Sequence, residues 1–246
     1  MSGHSKWSTI KRKKGAKDAK RGASFSKAAR LIEVAAKGGP DPDLNFKLKL
    51  AIAKAKELNV PNNNIDKAIK KGSGQDKEAS SIEEITYEGL GPANVGVIIE
   101  AVTDNKNRTV SEIRHIFSKN GGNFGTSVAW QFESLGILQI PKSNDKEALE
   151  LAIIDSGAIN FEDLGDYIEV HTKPKELDKV KTSLEQAGFK VESAVLGMVP
   201  KNKTTITDKS LAKKALNFLD VLEEHEDVSE IYSNLDIPEE LLSEIS

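Results

Sequence analysis

Two periodicities meet near residue 72, and the charge reverses at the same place. Over residues 1–72 apolar side chains recur at helical spacing, and the stretch carries 18 Lys+Arg against 6 Asp+Glu. Gly72-Ser73-Gly74-Gln75-Asp76 then reads as a hinge. Beyond it the apolar period drops to two, and the rest of the 246-residue chain holds 17 basic and 32 acidic side chains. The total of −3 conceals both halves. Such a chain divides into a cationic helical module and an acidic α+β body.

The helical module can be read residue by residue. From Ser24, the residues Phe25, Ala28, Ala29, Ile32, Ala35 and Ala36 form one stripe, with Lys20, Lys27, Arg30 and Lys37 opposite. Gly38-Gly39-Pro40 ends that helix. Leu44, Leu48, Ala51, Ala55 and Leu58 mark a second helix. Pro61 and Asn62–Asn64 cap a third, with Ile65, Ala68 and Ile69 inward and Gly72 closing it. The expectation is a basic arm over 1–22 and a three-helix bundle over 23–75.

In the acidic body, strands are expected at 84–88 and 95–102, a helix at 109–118, and a strand through Val128, Trp130 and Phe132. Strands at 136–140, 159–162, 167–171 and 190–198, with helices at 146–155 and 175–186, then complete a strand-helix-strand-strand-helix-strand series. That is the ferredoxin-like order. A strand at 203–206, a helix at 208–224 and a strand at 228–233 join the strands before residue 134 in a second such series. The fold class expected is therefore multidomain α and α+β: an N-terminal three-helix bundle followed by two ferredoxin-like α+β domains, the last inserted in the second. The domains would be 76–134 with 200–246, and 135–199 inserted.

Charge points to the partner. Lys6, Lys11, Arg12, Lys13, Lys14, Lys17, Lys20 and Arg21 crowd the arm, and Lys27 and Arg30 continue the basic character into the first helix. Such a concentration attracts a phosphate backbone. A solvated tail is the bland alternative, and the continuation into folded helices argues against it. The absence of Cys excludes disulfides, zinc fingers and thiol nucleophiles. There is no run of transmembrane length and no secretory signal pattern, so a cytoplasmic protein is expected.

Longer motifs carry a resemblance. Ser2-Gly3-His4-Ser5-Lys6-Trp7, Asp18-Ala19-Lys20-Arg21-Gly22, Tyr87-Glu88-Gly89-Leu90-Gly91-Pro92, Thr103-Asp104-Asn105-Lys106-Asn107-Arg108-Thr109 and Asn120-Gly121-Gly122-Asn123-Phe124-Gly125 stand in the order seen in the YebC family. Its mitochondrial relatives are called translational activators of cytochrome c oxidase. The resemblance runs nearly end to end, and is loose after Asp208. It implies a helical domain, two ferredoxin-like domains and a cytoplasmic, non-enzymatic protein. Bacterial members are described as probable transcriptional regulators that bind DNA, and others resemble ribosome-associated factors that help translation through difficult sequences.

Other motifs lead elsewhere. Asn120–Gly125 lacks the Gly-Lys-Ser/Thr of a phosphate loop and reads as a turn needing positive φ. His4, His115, His171 and His225 show no ligand spacing, so neither a metal nor a cofactor is expected. Asn105 and Arg108 sit where a strand turns into a helix, which suits an anion as well as a simple cap. Glu100, Asp104 and Glu112 are the carboxylates a metal-dependent nuclease would use. The acidic run Glu223–Asp227 reads as a solvated helix end. The function expected is a non-enzymatic nucleic-acid-binding regulator of gene expression. One alternative is a ribosome-associated translation factor on ribosomal RNA, toward which the Lys-rich arm tilts the reading; a nuclease is the other. No membrane or small-molecule substrate is expected.

Overall fold

A computed structural model describes residues 18–76, 82–143, 145–165 and 167–245, with side chains from residue 24 onward. The first described element is helix α1, Asp18–Ala36, followed by α2, Phe46–Glu57, and α3, Asn62–Gly72. α1 already includes the residues before Ser24 from Asp18 on, where Gly22 is the only poor helix former. The bundle core is small: Ala28, Ile32, Ala35, Ala36, Leu48, Ala55, Val60, Ile65 and Ala68. Alanines at the crossings let the helices approach closely.

Asn45 ties α1 to α2. Its Oδ1 accepts from the Leu48 N–H as the N-cap of α2, while its Nδ2 donates to Ala35 O at 2.7 Å and Gly39 O at 2.8 Å. One side chain thus satisfies both a helix start and a helix end. It also explains why Leu44, expected inside the second helix, is 88% exposed: the residue lies before the cap. At the other crossing, a Cβ on Gly72 would lie 1.9 Å from Glu33 O. Gly72→Ala should therefore destabilise the bundle by about 1–3 kcal/mol or more, measured by chemical denaturation. An unchanged midpoint would mean that α1 and α3 can separate freely.

Past the hinge come β1, Glu83–Leu90, β2, Gly96–Thr103, α4, Lys106–Lys119, and the two-residue β3, Asn123–Phe124. The chain then runs through β4 (Phe132–Pro141), α5 (Lys146–Asp155), β5 (Asn160–Asp163), β6 (Tyr167–Thr172), α6 (Leu177–Gln186) and β7 (Ser193–Pro200). It ends with β8 (Thr204–Thr205), α7 (Lys209–Glu224), β9 (Val228–Ser233), β10 (Leu235–Asp236) and α8 (Glu239–Ile245).

Two four-stranded antiparallel sheets result. The inserted one has the order β5-β6-β4-β7. This is the ferredoxin-like arrangement, with Leu138, Ile140, Ile168 and Val170 packed on Leu149, Ile153, Val180 and Leu184 of its helices. The other sheet has the order β3-β1-β2-β9, and its core joins Val97, Ile99 and Ile231 to Ile113 and Phe117 of α4 and Phe218 and Leu222 of α7. Phe117 and Phe218 meet edge-on at 4.9 Å. The bundle followed by two α+β domains, the last inserted in the second, is the fold expected. The strand between residues 134 and 135 is unbroken, however, because β4 spans both positions.

Two strand assignments differ. Val128–Gln131 is not a strand, and Phe132 opens β4: Ala129–Gln131 is a 3₁₀ turn, and the Glu88 carboxylate accepts the N–H groups of Val128 and Ala129 at 2.7 and 2.8 Å. Val128 and Phe132 are buried while Trp130 is 68% exposed, so the alternation belonged to a capped turn. Residues 203–206 contain only β8, which pairs in parallel with β10 in a separate small sheet. The vacant edge is filled by β3, inside the glycine-rich stretch read as a turn. Gly121 and Gly125, at φ 76° and 83°, provide the positive φ expected there.

Candidate nucleic-acid interface

The cationic module divides into lysines that face the rest of the protein and lysines that face solvent. On α2, Lys47 pairs with Glu84, Lys49 with Asp178 at 3.3 Å, and Lys54 with Glu230. These bonds hold the bundle against both α+β domains. Burial lowers the Lys54 ammonium below its ordinary pKa, and burial together with the neighbouring Glu84 raises Glu100 on the same face. Part of the positive charge is therefore matched by carboxylates of the α+β domains. Outside, Lys56, Lys67 and Lys70 are exposed and form no ion pair with another described residue.

Of the ten cations expected to contact nucleic acid, Lys6, Lys11, Arg12, Lys13, Lys14 and Lys17 lie outside the described residues. Lys20 and Arg21 lie in α1. Lys27 and Arg30 turn inward. Lys27 Nζ donates to Glu223 O at 2.5 Å, and Arg30 donates to Asp227 at 2.7 Å. A solvated helix face and a face docked on another domain look alike in sequence. Lys67, three residues before Lys70 on α3, shares an open groove of about 700 Å³ with Lys71, Arg30, Asn64 and Phe25. This groove lies between α1 and α3, reaches Ile82 and Asp104 of the adjoining domain, and also holds Glu33 and Asp76, so its lining is of mixed charge.

Asp227 is the centre of the seam. Its side chain is fully buried and accepts from Arg30 at 2.7 Å, Arg108 at 2.8 Å, Thr109 Oγ1 at 2.7 Å and Thr103 Oγ1 at 3.1 Å. Burial alone would raise the carboxyl, but the Arg108, Thr109 and Thr103 hydrogen bonds outweigh it and hold the pKa at about 2. The acidic run expected to be solvated thus ends in a buried anion. Arg108 is further held by Asp104 at 3.3 Å and Glu226 at 3.4 Å. Asn105 caps α4, its side chain accepting from the Arg108 N–H at 3.1 Å. The anion at this strand-to-helix corner is one of the chain's own carboxylates.

The same corner bears on catalysis and metals. Glu112, His225 and Asp227 place one potential ligand atom each within 4.8 Å, a grouping that the sequence spacing hides. The donor set does not suit a cation. Asp227 is engaged by two guanidinium groups, His225 Nδ1 accepts the Asp227 N–H at 3.2 Å, and Nε2 meets Glu112 at 2.9 Å. A metal would have to displace the arginines. The nuclease trio does not converge either. Ile99 points into the helix-packed core, so Glu100 points to the other face, where Tyr232 OH lies 3.5 Å away, while Glu112 belongs to α4. Among the described residues no helix is long and apolar enough to cross a membrane.

Comparison with known proteins covers nearly the whole chain. A family model described as "TACO1/YebC protein N-terminal domain" matches residues 5–75, and one described as "TACO1/YebC second and third domain" matches residues 82–235. A "Probable transcriptional regulatory protein" of Rubrobacter xylanophilus is 51% identical over 251 residues, covering 100% of both chains. One of the same description from Halothermothrix orenii is 46% identical over 252 residues, covering 100% of this chain and 99% of the relative. A crystal structure of a conserved hypothetical protein from Aquifex aeolicus aligns with a TM-score of 0.83 at 42% identity, over 92% of this chain and 94% of that one.

Proposed function

This chain belongs to the TACO1/YebC family, and from that premise we propose a non-enzymatic regulator of gene expression that acts in the cytoplasm by occupying a nucleic-acid surface. The observation that carries the reading is the charge asymmetry: 18 basic against 6 acidic residues in 1–72, joined to an acidic remainder. The relatives' description as transcriptional regulatory proteins supports the regulatory half of it. In this reading Lys6, Lys11, Arg12, Lys13, Lys14, Lys17, Lys20 and Arg21 neutralise phosphates. Lys56, Lys67 and Lys70 extend the track, while Lys27 and Arg30 hold the bundle in place. The units 23–75, 76–134 with 200–246, and 135–199 supply shape.

Residue chemistry favours a folded RNA over a DNA operator. Of the 18 cations in residues 1–72, 15 are Lys. Lysine is a point charge, whereas bidentate reading of base edges is the work of Arg, Asn and Gln. The face of α1 that carries Lys27 and Arg30 is no recognition surface, since both are spent on the domain seam. A ribosomal surface, read by phosphate and shape, suits such a module. The expected result is co-sedimentation with ribosomes and only a small preference for any promoter fragment over scrambled DNA at physiological salt. A promoter bound about 10³-fold more tightly than scrambled DNA, without ribosome association, would replace this reading with the transcriptional one.

A further inference from the structure

The glycine-rich stretch Asn120–Gly125, left without a role by the charge argument, forms one wall of a second groove. Its six lining residues are Arg114, Ser118, Gly122, Asn123, Phe124 and Gly125, around an open volume of about 470 Å³. They include one cation and no carboxylate. The Arg114 guanidinium lies over the Phe124 ring, 5.5 Å from its centroid. The ring is fixed from behind by Phe117, edge-on at 5.6 Å, and by Tyr87 at 5.8 Å. Arg114 is exposed and forms no ion pair with another described residue, unlike Arg30 and Arg108. Exposed His115 and Lys119 flank it on α4, and Asn123 presents an exposed amide.

We propose that this groove at the β3 edge binds an unpaired nucleotide of a single-stranded nucleic acid, its base stacked on the Arg114 guanidinium that Phe124 backs. A guanidinium plane between an aromatic ring and a base is attracted on both faces, through the ring's quadrupole and through stacking. Asn123 can donate to and accept from a base edge, and Ser118 and Lys119 offer a hydroxyl and a cation to the adjoining phosphate. Of the two lining glycines, Gly122 is packed against Leu90 O, and Gly125, with no atom within 4 Å of where a Cβ would stand, leaves room for the strand's backbone to approach. The groove is a different surface from the bundle. It deepens the proposed function by adding unpaired bases to the phosphates as what the protein contacts.

The shared chemistry is a nucleobase with its phosphate, which a strand or a free nucleotide could supply. Four probes separate the sources, each titrated against the full chain: an unstructured ten-nucleotide RNA, the DNA strand of the same sequence, a blunt duplex and a nucleoside 5′-monophosphate. Arg114→Ala should weaken binding of at least one of the two strands about tenfold, while duplex affinity changes less than twofold. Arg114→Lys, which keeps the charge and removes the plane, should lose most of that affinity as well. Ultraviolet crosslinking of the bound strand should map to the peptide containing Phe124. Equal losses on strand and duplex, or wild-type behaviour of Arg114→Lys, would overturn the proposal. So would a monophosphate that binds as tightly as the strand with the same Arg114→Ala loss. Replacing Lys11, Arg12, Lys13, Lys14 and Lys17 with Gln tests the arm separately, so either surface can fail while the other stands.

Discussion

Replacing Asp227 with Asn should cost about 3 kcal/mol of stability at neutral pH, the low end of the range for breaking a buried ion pair. The carboxylate accepts from two arginines on different domains and from two threonines, and Asn would turn an N–H₂ group toward some of those donors. The low end applies because the Arg30 and Arg108 side chains keep 31% and 35% of their surface in water. A pH dependence should accompany the loss. Asp227 sits at about 2 in the folded protein against an ordinary 3.8, so the unfolded chain binds more protons between those values. Its contribution is complete above the ordinary carboxyl pKa and disappears as pH falls through about 2. Roughly 2 kcal/mol of the difference between wild type and variant should vanish across that window. Urea denaturation at a series of pH values reads both effects. Parallel pH profiles for the two proteins would show that Asp227 does not titrate as the seam requires.

The arm should dominate binding. Neutralising Lys11, Arg12, Lys13, Lys14 and Lys17 with Gln removes up to five phosphate contacts and alters no residue of the described α1, Asp18–Ala36. On duplex DNA each contact contributes about 0.9 to the slope of log K against log salt, so the slope should become shallower by about 4 to 5. At physiological ionic strength that corresponds to an affinity loss on the order of 10³. Lys27→Gln should leave the slope unchanged, because Lys27 is bonded to Glu223 O. Filter binding across a salt series measures both. A slope that moves for Lys27→Gln and not for the arm variant would transfer the interface from the arm to the bundle.

The sequence disclosed local order well and cross-chain pairing poorly. Ile32, Ala35 and Ala36 on α1, and Leu149 and Ile153 on α5, were legible because a buried stripe needs only its own periodicity. The turn at Ala129–Gln131 imitates a strand because Val128 and Phe132 pack into one cluster from its two ends, and nothing local announces that Glu88 caps the turn. Asp227 was the larger miss. Its arginines stand 119 and 197 residues away, and a carboxylate in an acidic run resembles solvated surface until the fold brings those partners to it. Lys27 and Arg30 were recognised as cations, but their carboxyl-terminal acceptors were invisible for the same reason. Phe124 and Arg114 were also hidden, since the contact that makes them a pair depends on the loop folding back over α4.

The insertion enters and leaves through neighbouring strands. β4 and β7 are hydrogen-bonded from Phe132↔Pro200 to Gln139↔Ser193, so the stem is a two-stranded ribbon rather than a pair of loose linkers. At its root, Phe132 packs with Ile98, Val128 and Tyr232 against the first sheet, and Met198 joins them from β7. A ribbon of this kind resists bending in its own plane and yields most readily to twist, the deformation that strand sterics already favour. That twist is opposed by the bundle, because Leu50 of α2 packs on the core of the inserted domain and Lys49 pairs with its Asp178. A load applied at the tip of the inserted domain is therefore divided between the β4–β7 ribbon, which meets the first sheet beside β9, and the helical bundle.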